Sequence, residues 1–66
     1  MYTKILIRIK KLRKKNNLTQ KDMAKILGYK SAKGYHDIEC GRIKIRLEHL
    51  QKLSSNFHIP IKYFFE

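Results

Sequence analysis

The sequence predicts an all-α fold, a compact bundle of about five short helices in one domain spanning residues 1–66. Apolar residues recur three or four positions apart in successive stretches of the chain, which is the spacing of one face of an α-helix. Residues that favour helix ends, such as Thr, Ser, Asn, Gly and Pro, lie between these stretches. A chain of 66 residues buries only a modest core, so a large concave catalytic pocket is not expected.

The first helix is indicated by Ile5, Ile9 and Leu12, which share one helical face. It is predicted to end at Asn16–Asn17, because asparagine is unfavourable inside a helix. Ile5, Ile7 and Ile9 also alternate as residues of a strand do, which leaves a strand as the alternative for this segment. The Lys and Arg run that follows favours the helix.

The second helix is predicted from Gln20 to Leu27 by a capping box, in which Thr19 is followed three positions later by Asp22. Its inward face is formed by Met23, Ala24 and Leu27. Gly28 follows, and it supplies the permissive backbone that the C-terminus of a helix requires.

The third helix is predicted to begin after Ser31, whose hydroxyl suits an N-cap, and to end near Gly41. Tyr35 and Ile38 lie three positions apart and should face the core. The residues on the opposite side are Ala32, Lys33, His36, Asp37 and Cys40. This outward face is therefore the candidate functional surface.

The fourth helix is predicted by an apolar stripe that begins after a basic loop. Its members are Leu47, Leu50, Leu53 and Phe57. Pro60 then suits the first turn of a short final helix. The apolar residues of that helix are Ile61, Phe64 and Phe65.

The charge of the chain is strongly positive and unevenly distributed. Sixteen Lys and Arg stand against five Asp and Glu, a net charge of +11, and all of the excess lies in residues 1–46. Residues 47–66 are neutral and rich in aromatic side chains. Such a basic surface favours a polyanionic partner, nucleic acid first, while the alternative is a solvated face that serves solubility.

Residues 18–41, LTQKDMAKILGYKSAKGYHDIECG, resemble the helix-turn-helix of the lambda-repressor-like family, to which Cro and the xenobiotic-response-element regulators belong. The matching positions are the Thr19-Gln20 pair, Ala24, Gly28, and Ile38-Glu39 followed by Gly41. Leu12-Arg13 and residues 47–65 fall where this family has its first, fourth and fifth helices. The resemblance implies a sequence-specific transcriptional regulator of double-stranded DNA, in its simplest form a repressor, with residues 31–40 as the recognition helix in the major groove.

Base contacts are implied by the resemblance for the outward face of the recognition helix. These contacts are Ala32, Lys33, His36 and Asp37. Lys33 can donate to guanine O6 and N7 or to a phosphate, and Ala32 can lie against a thymine methyl. Asp37 can accept only from cytosine N4 or adenine N6, and its alternative role is to pair with a nearby Lys or Arg away from the bases.

Phosphate contacts are expected at the start of the second helix and in the loops around the recognition helix. Gln20 stands at a helix N-terminus, whose free amides suit a phosphate, although glutamine is also an ordinary first-turn residue. The other expected contacts are Lys30, Ser31, Arg42, Lys44 and Arg46. The basic run of the first helix is less specific, since such runs usually form a solvated face.

Arg13 matches the family's arginine that pairs with the recognition-helix glutamate, here Glu39, and this ion pair would fix the orientation of the third helix. Two separately solvated charges are the alternative. The chain departs from the family pattern at several places, among them Cys40 in place of the usual polar residue and Ile45-Arg46 in place of Pro-Ser. Two further departures concern the third helix. The turn between Gly28 and Ser31 is one residue longer than the commonest form, and Gly34 lies inside the helix. Glycine there costs about 1 kcal/mol relative to Ala, so either the close approach of another backbone requires it or the helix is loosened.

Other functions fit the sequence less well. His36 and Cys40 lie four apart on one helical face, but with His49 and His58 they complete no CxxC or HxxxH set, so no metal or other cofactor is expected. No Ser-His-Asp spacing, glycine-rich phosphate loop or carboxylate pair indicates an enzyme. The main alternative is a protein-interaction module, such as an antitoxin or antirepressor partner, on the same scaffold. A membrane-active basic helix is disfavoured by the apolar pattern after Leu18.

A homodimer on a near-palindromic operator is expected, because one such module reads only a few base pairs and two recognition helices about 34 Å apart read more. The predicted interface is the aromatic C-terminal segment, through Ile61, Tyr63 and Phe65. The alternative is that Phe57, Ile61 and Phe64 are used wholly within the monomer core, and exposure of Tyr63 or Phe65 would favour the interface. No small-molecule ligand is expected. A single cysteine, Cys40, and the absence of an apolar run long enough to cross a membrane indicate a cytoplasmic protein.

Overall fold

The computed structural model describes the backbone of residues 2–66 and the side chains from Thr3 onward. Four α-helices are followed by one short 3₁₀ helix. They are α1 (Tyr2–Lys15), α2 (Gln20–Leu27), α3 (Ala32–Glu39), α4 (Leu47–Phe57) and the 3₁₀ helix Ile61–Phe65. Residues 2–66 contain no strand, so the predicted all-helical fold class is confirmed and the strand alternative for the first segment is wrong.

The last helix differs in type from the four before it. It is a 3₁₀ helix of 5 residues, and helices of this type stay short because their hydrogen-bond geometry is poorer than that of an α-helix. Pro60 precedes it in extended backbone, and its carbonyl accepts a hydrogen bond from the Tyr63 N–H at 3.0 Å. Proline therefore stands at the N-cap and not in the first turn, where the sequence placed it.

Each α-helix is followed within two positions by a residue in the left-handed backbone region. These residues are Asn17 (φ 57°), Gly28 (φ 88°), Gly41 (φ 85°) and His58 (φ 56°). At the end of α2, the Gly28 N–H donates to the Lys25 carbonyl at 3.1 Å, and the Tyr29 N–H donates to the Ala24 carbonyl at 2.8 Å. This Schellman arrangement satisfies carbonyls that a helix leaves unpaired at its end.

The starts of α2 and α3 differ in their capping. At α2, Thr19 Oγ1 accepts from the Asp22 N–H at 3.1 Å, and the Asp22 carboxylate accepts from the Thr19 N–H at 2.9 Å, as the capping box predicts. The bond from the Thr19 N–H lowers the pKa of Asp22. Ser31 occupies the N-cap of α3, but its hydroxyl makes no capping bond, which corrects the role expected for it. Ser31 is exposed, so water can satisfy the first amides of α3.

The core takes one face from every helix. Its buried apolar members are Ile5, Ile9, Leu12, Met23, Ala24, Leu27, Tyr35, Ile38, Leu50, Leu53 and Phe64. Helix α2 packs against α3 and α4, and α1 packs against α3 and the 3₁₀ helix. Leu47 is 60% exposed, although the sequence placed it on the apolar stripe of α4. At 100° per residue it lies about a quarter of a turn from the centre of the remaining stripe, which accounts for this error.

Candidate nucleic-acid interface

Helices α2 and α3 form one unit, joined by a turn of residues 28–31. Ala24 of α2 and Tyr35 and Ile38 of α3 are all at most 1% exposed within the same core cluster. A small residue at position 24 suits this, because it lets two helices approach closely. The opposite side of α3 is left facing away from the bundle.

The outer strip of α3 consists of three exposed residues one turn apart, Lys33, His36 and Cys40. The Lys33 and His36 side chains are 74% and 48% exposed. Cys40 Sγ lies 3.3 Å from His36 Nε2, and Ala32 is half-buried at the start of the helix. The strip therefore offers an ammonium group, an imidazole and a thiol, all able to donate hydrogen bonds.

Asp37 lies beside the outer strip but is largely covered. Its side chain is only 14% exposed, and Lys33 Nζ lies 3.3 Å from Oδ2 in an (i, i+4) ion pair. His36 Nδ1 lies 3.7 Å from Oδ1. Among the described residues, Oδ1 is buried without a hydrogen-bond partner. The arrangement matches the alternative role considered for this carboxylate, which is to pair with a nearby lysine.

Cationic side chains flank the outer strip on both sides. The flanking residues are Lys30 and Ser31 in the turn before α3, and Arg42, Lys44 and Arg46 in the loop after it, all of them exposed. Arg46 Nη1 lies 3.6 Å from Glu48 Oε1, and both side chains are more than half exposed. Exposed ion pairs of this kind contribute little, so Arg46 can readily exchange Glu48 for another anion.

Helix α1 contains no acidic residue and has basic side chains in its last turn. The exposed members of its basic run are Lys10, Lys11, Lys14 and Lys15. Arg13 is the exception, because its side chain is only 13% exposed and turns towards α3. The run thus divides into a solvated lysine face and one inward arginine.

Arg13 and Glu39 form a shielded ion pair between α1 and α3. Arg13 Nε donates to Glu39 Oε2 at 3.0 Å and Nη2 to Oε1 at 3.2 Å, while Nη1 donates to the Leu18 carbonyl at 3.1 Å. Gln20 Nε2 also donates to Glu39, at 3.3 Å. Burial alone would raise the pKa of Glu39, but the hydrogen bonds, led by that from Arg13, lower it. The Arg13 and Glu39 side chains thus join three helices, α1, α2 and α3.

A family model described as helix-turn-helix matches residues 9–64. This span runs from the middle of α1, through α2, α3 and α4, into the 3₁₀ helix. The chain belongs to this family. The lambda-repressor-like helix-turn-helix family consists of DNA-binding transcriptional regulators. In such a motif the second helix is the one that enters the major groove. No curated protein and no solved structure shows significant similarity to the chain.

One feature of this helix-turn-helix was not anticipated, namely the position of Tyr29 in the longer turn. A Cβ atom placed on Gly34 would lie 2.6 Å from Tyr29 Cδ1 and 2.7 Å from Cγ. A side chain at position 34 would force the Tyr29 ring or α3 to shift, which favours glycine inside this helix. The glycine was visible in the sequence, but the residue that approaches it was not.

Some side chains of the C-terminal segment pack against other residues of the same chain. The Arg8 guanidinium lies 5.4 Å from the centre of the Tyr63 ring, and Tyr63 meets Phe64 edge to face. Ile61 is half-buried, whereas Phe65 is 47% exposed. Other exposed apolar side chains, none of which the sequence assigned to an interface, are Ile7, Ile43 and Leu47.

Two further observations concern metals and membranes. The described part of the chain has no group of three or more His, Cys, Asp or Glu side chains placed to hold a metal ion. Within residues 2–66, every helix is too short or too polar to span a lipid bilayer.

Proposed function

We propose that this helix-turn-helix protein is a sequence-specific transcriptional regulator, in its simplest form a repressor, that reads double-stranded DNA in the cytoplasm through the outer strip of α3. The observation that carries this proposal is the uncovered strip itself, which lies between two exposed cationic loops. The major groove of B-DNA is about 12 Å wide and admits one α-helix. Cations at both ends of such a helix can then neutralise phosphates on both sides of the groove.

Lys33 and His36 are the proposed readers of base edges. Lys33 is the most exposed of the four candidates and can donate to guanine O6 and N7. His36 can donate to the same acceptors, and the methyl group of Ala32 can lie against a thymine methyl. Asp37 can accept from cytosine N4 only after Lys33 releases it, so its base contact is coupled to the movement of Lys33.

The phosphate contacts are proposed to supply the part of the DNA affinity that does not depend on base sequence. The Gln20 amide has two N–H donors, and one of them binds Glu39. The other can donate to a phosphate at the N-terminus of α2. The remaining proposed contacts are Lys30, Ser31, Arg42, Lys44 and Arg46. Each neutralised phosphate should make the decrease of log affinity with log salt concentration steeper by about one unit.

The first test is DNA binding across a salt series. A binding site is selected from random duplexes, and its affinity is compared with that of a scrambled duplex for the wild type and for Lys33→Ala. Lys62→Ala is the matched control, because Lys62 is an exposed lysine in the neutral C-terminal segment. The wild type should prefer the selected site by about 10³-fold at about 150 mM salt, and Lys33→Ala should reduce that preference while Lys62→Ala does not.

Selection that returns no motif, with equal and weak binding to both duplexes, would contradict sequence-specific regulation. Capture of a protein partner by the same outer strip would then become the function to test, as in an antitoxin or antirepressor partner. Preference for a selected site that is indifferent to Lys33 would instead contradict the assigned reading residue.

We also propose that the protein binds a near-palindrome as a homodimer through Ile61, Tyr63 and Phe65. Phe65 supports this, since 47% of it is exposed, while Tyr63 is partly covered by Arg8. Phe65→Ser should shift the dimer towards monomer in sedimentation, and the matched control Ile7→Ser, which removes an apolar side chain that is 57% exposed, should not. A dimer unaffected by Phe65→Ser would place the interface elsewhere.

A further inference from the structure

The longer turn of the helix-turn-helix places an aromatic ring against the recognition helix. Tyr29 lies in this turn, and its ring is 2.6–2.7 Å from the position that a Gly34 Cβ atom would occupy. The atoms concerned are Cδ1 and Cγ, near the base of the side chain, so the ring cannot avoid a Cβ by turning only its far end. The ring therefore determines how closely α3 can approach the turn.

The other end of Tyr29 is tied to helix α4. Its hydroxyl lies 3.2 Å from Nε2 of His49, a residue that is only 8% exposed. Nδ1 of the same imidazole accepts a hydrogen bond from the backbone N–H of Arg46 at 3.0 Å. Because Nδ1 accepts, the neutral ring carries its proton on Nε2 and donates it to the Tyr29 oxygen. One tautomer thus satisfies both bonds.

These contacts connect the two DNA-facing elements of the proposed function. Gly34 lies in the recognition helix, and Arg46 lies in the loop that supplies proposed phosphate contacts. Between them lie only the side chains of Tyr29 and His49. We propose that Tyr29 and His49 are positioning residues, which fix the orientation of the recognition helix relative to the Arg46 loop and thereby set sequence preference. This inference rests on the proposed function.

Protonation of His49 would break the connection. With a proton on Nδ1, an N–H donor would face the Arg46 N–H donor. The charged groups around the ring are Arg46 in the loop and Glu48 and Lys52 on α4, and the turn contributes Tyr29. Burial lowers the pKa of His49, and Arg46 and Lys52 lower it further against the opposing effect of Glu48. At neutral pH the ring is therefore the neutral acceptor that the geometry requires.

Three variants test separately the contacts that connect Gly34, through Tyr29 and His49, to Arg46. Gly34→Ala adds a Cβ where the Tyr29 ring lies, and Tyr29→Phe removes only the hydroxyl. His49→Gln keeps an acceptor for the Arg46 backbone N–H, since the side-chain oxygen of a glutamine at this third helical position can take the place of Nδ1, but it does not titrate. All three leave every proposed phosphate contact in place. Folding of each variant is checked by circular dichroism before DNA is added.

The test measures the affinity ratio between the selected site and the scrambled duplex. Gly34→Ala and Tyr29→Phe should lower this ratio by about tenfold, which corresponds to about 1.4 kcal/mol, while affinity for the scrambled duplex stays within about twofold. In a Tyr29→Ala background, Gly34→Ala should cause no further loss, because the two residues share one contact. As pH falls from about 7.5 to about 5.5, the wild type should lose site affinity relative to His49→Gln, since His36 and His58 are common to both.

The outcomes distinguish the two proposals. If the wild type shows no site preference, the proposed function fails, and the positioning role fails with it. If the wild type has the preference and folded Tyr29→Phe and Gly34→Ala retain it in full, the proposed function stands and the positioning role is overturned. Should Gly34→Ala fail to fold, Tyr29→Phe and the pH comparison with His49→Gln still decide the matter.

Discussion

Helices α2 and α3 are both 8 residues long, yet they are held in different ways. Local bonds define α2, which has a complete capping box at its start and Gly28 at its end. Helix α3 has no side-chain cap and contains Gly34, so its local signals are weaker. It is held instead by residues distant in the chain, since Arg13 in α1 binds Glu39 directly and His49 in α4 contacts Tyr29 in the turn before α3. The helix proposed to read DNA is thus the one that depends most on tertiary contacts.

Of the variants that test this comparison, one that removes the Arg13–Glu39 ion pair should lower the stability of the protein most. Arg13→Met keeps the aliphatic stem but leaves the Glu39 carboxylate, 6% exposed, without its main partner. The free energy of unfolding should fall by about 3 kcal/mol, as measured by urea denaturation. The matched control is Lys14→Met, which neutralises an exposed neighbour and should change stability by less than about 0.5 kcal/mol. Equal effects of the two variants would show that α3 does not depend on this pair.

A smaller effect is expected at the helix starts. Thr19→Ala removes the hydroxyl that caps α2 and should cost about 1 kcal/mol of unfolding free energy. Ser31→Ala at the equivalent position of α3 should cost no more than a few tenths of a kcal/mol, because that hydroxyl makes no capping bond. Thermal denaturation of both variants measures the difference. A larger loss for Ser31→Ala would contradict the contrast between the two helices.

The smallest effect concerns acidification. The folded state lowers the pKa of His49 below its usual value of 6.5, so the unfolded chain binds this proton more readily. His49 therefore contributes its full stability above pH 6.5, and this contribution is lost as the pH falls below that value. The slope stays below about 1.4 kcal/mol per pH unit, the limit for one proton. Urea denaturation between about pH 5 and pH 8 should show this decline in the wild type and not in His49→Gln.

The sequence predicted best what short-range patterns determine. The bounds of α2 follow from Thr19, Asp22 and Gly28, all within or next to the helix. The inward faces follow from spacing alone, which is why Tyr35 and Ile38 were placed correctly in the core. Leu47 was misplaced because a spacing of three residues drifts around a helix with 3.6 residues per turn.

Contacts between distant residues were predicted only where a family pattern supplied them. The observed approach of Arg13 to Glu39 spans 26 positions, and the family resemblance had suggested it. Tyr29 and His49 are separated by 20 positions, and no pattern in the sequence connects them. Gly34 marked the place where a side chain approaches α3, but a single sequence could not identify that side chain as Tyr29.

The lysine face of α1 has a consequence for folding in salt. Like charges three and four positions apart on a helix repel one another, and α1 has no acidic residue to offset them. Salt screens this repulsion over a distance of about 8 Å at physiological ionic strength, so the free protein should melt at a higher temperature as salt is added. The proposed complex with DNA should show the opposite dependence, because salt weakens phosphate contacts. A polyanion near α1 would then take the place of the missing acidic side chains, so we expect the proposed DNA complex to unfold at a higher temperature than the free protein.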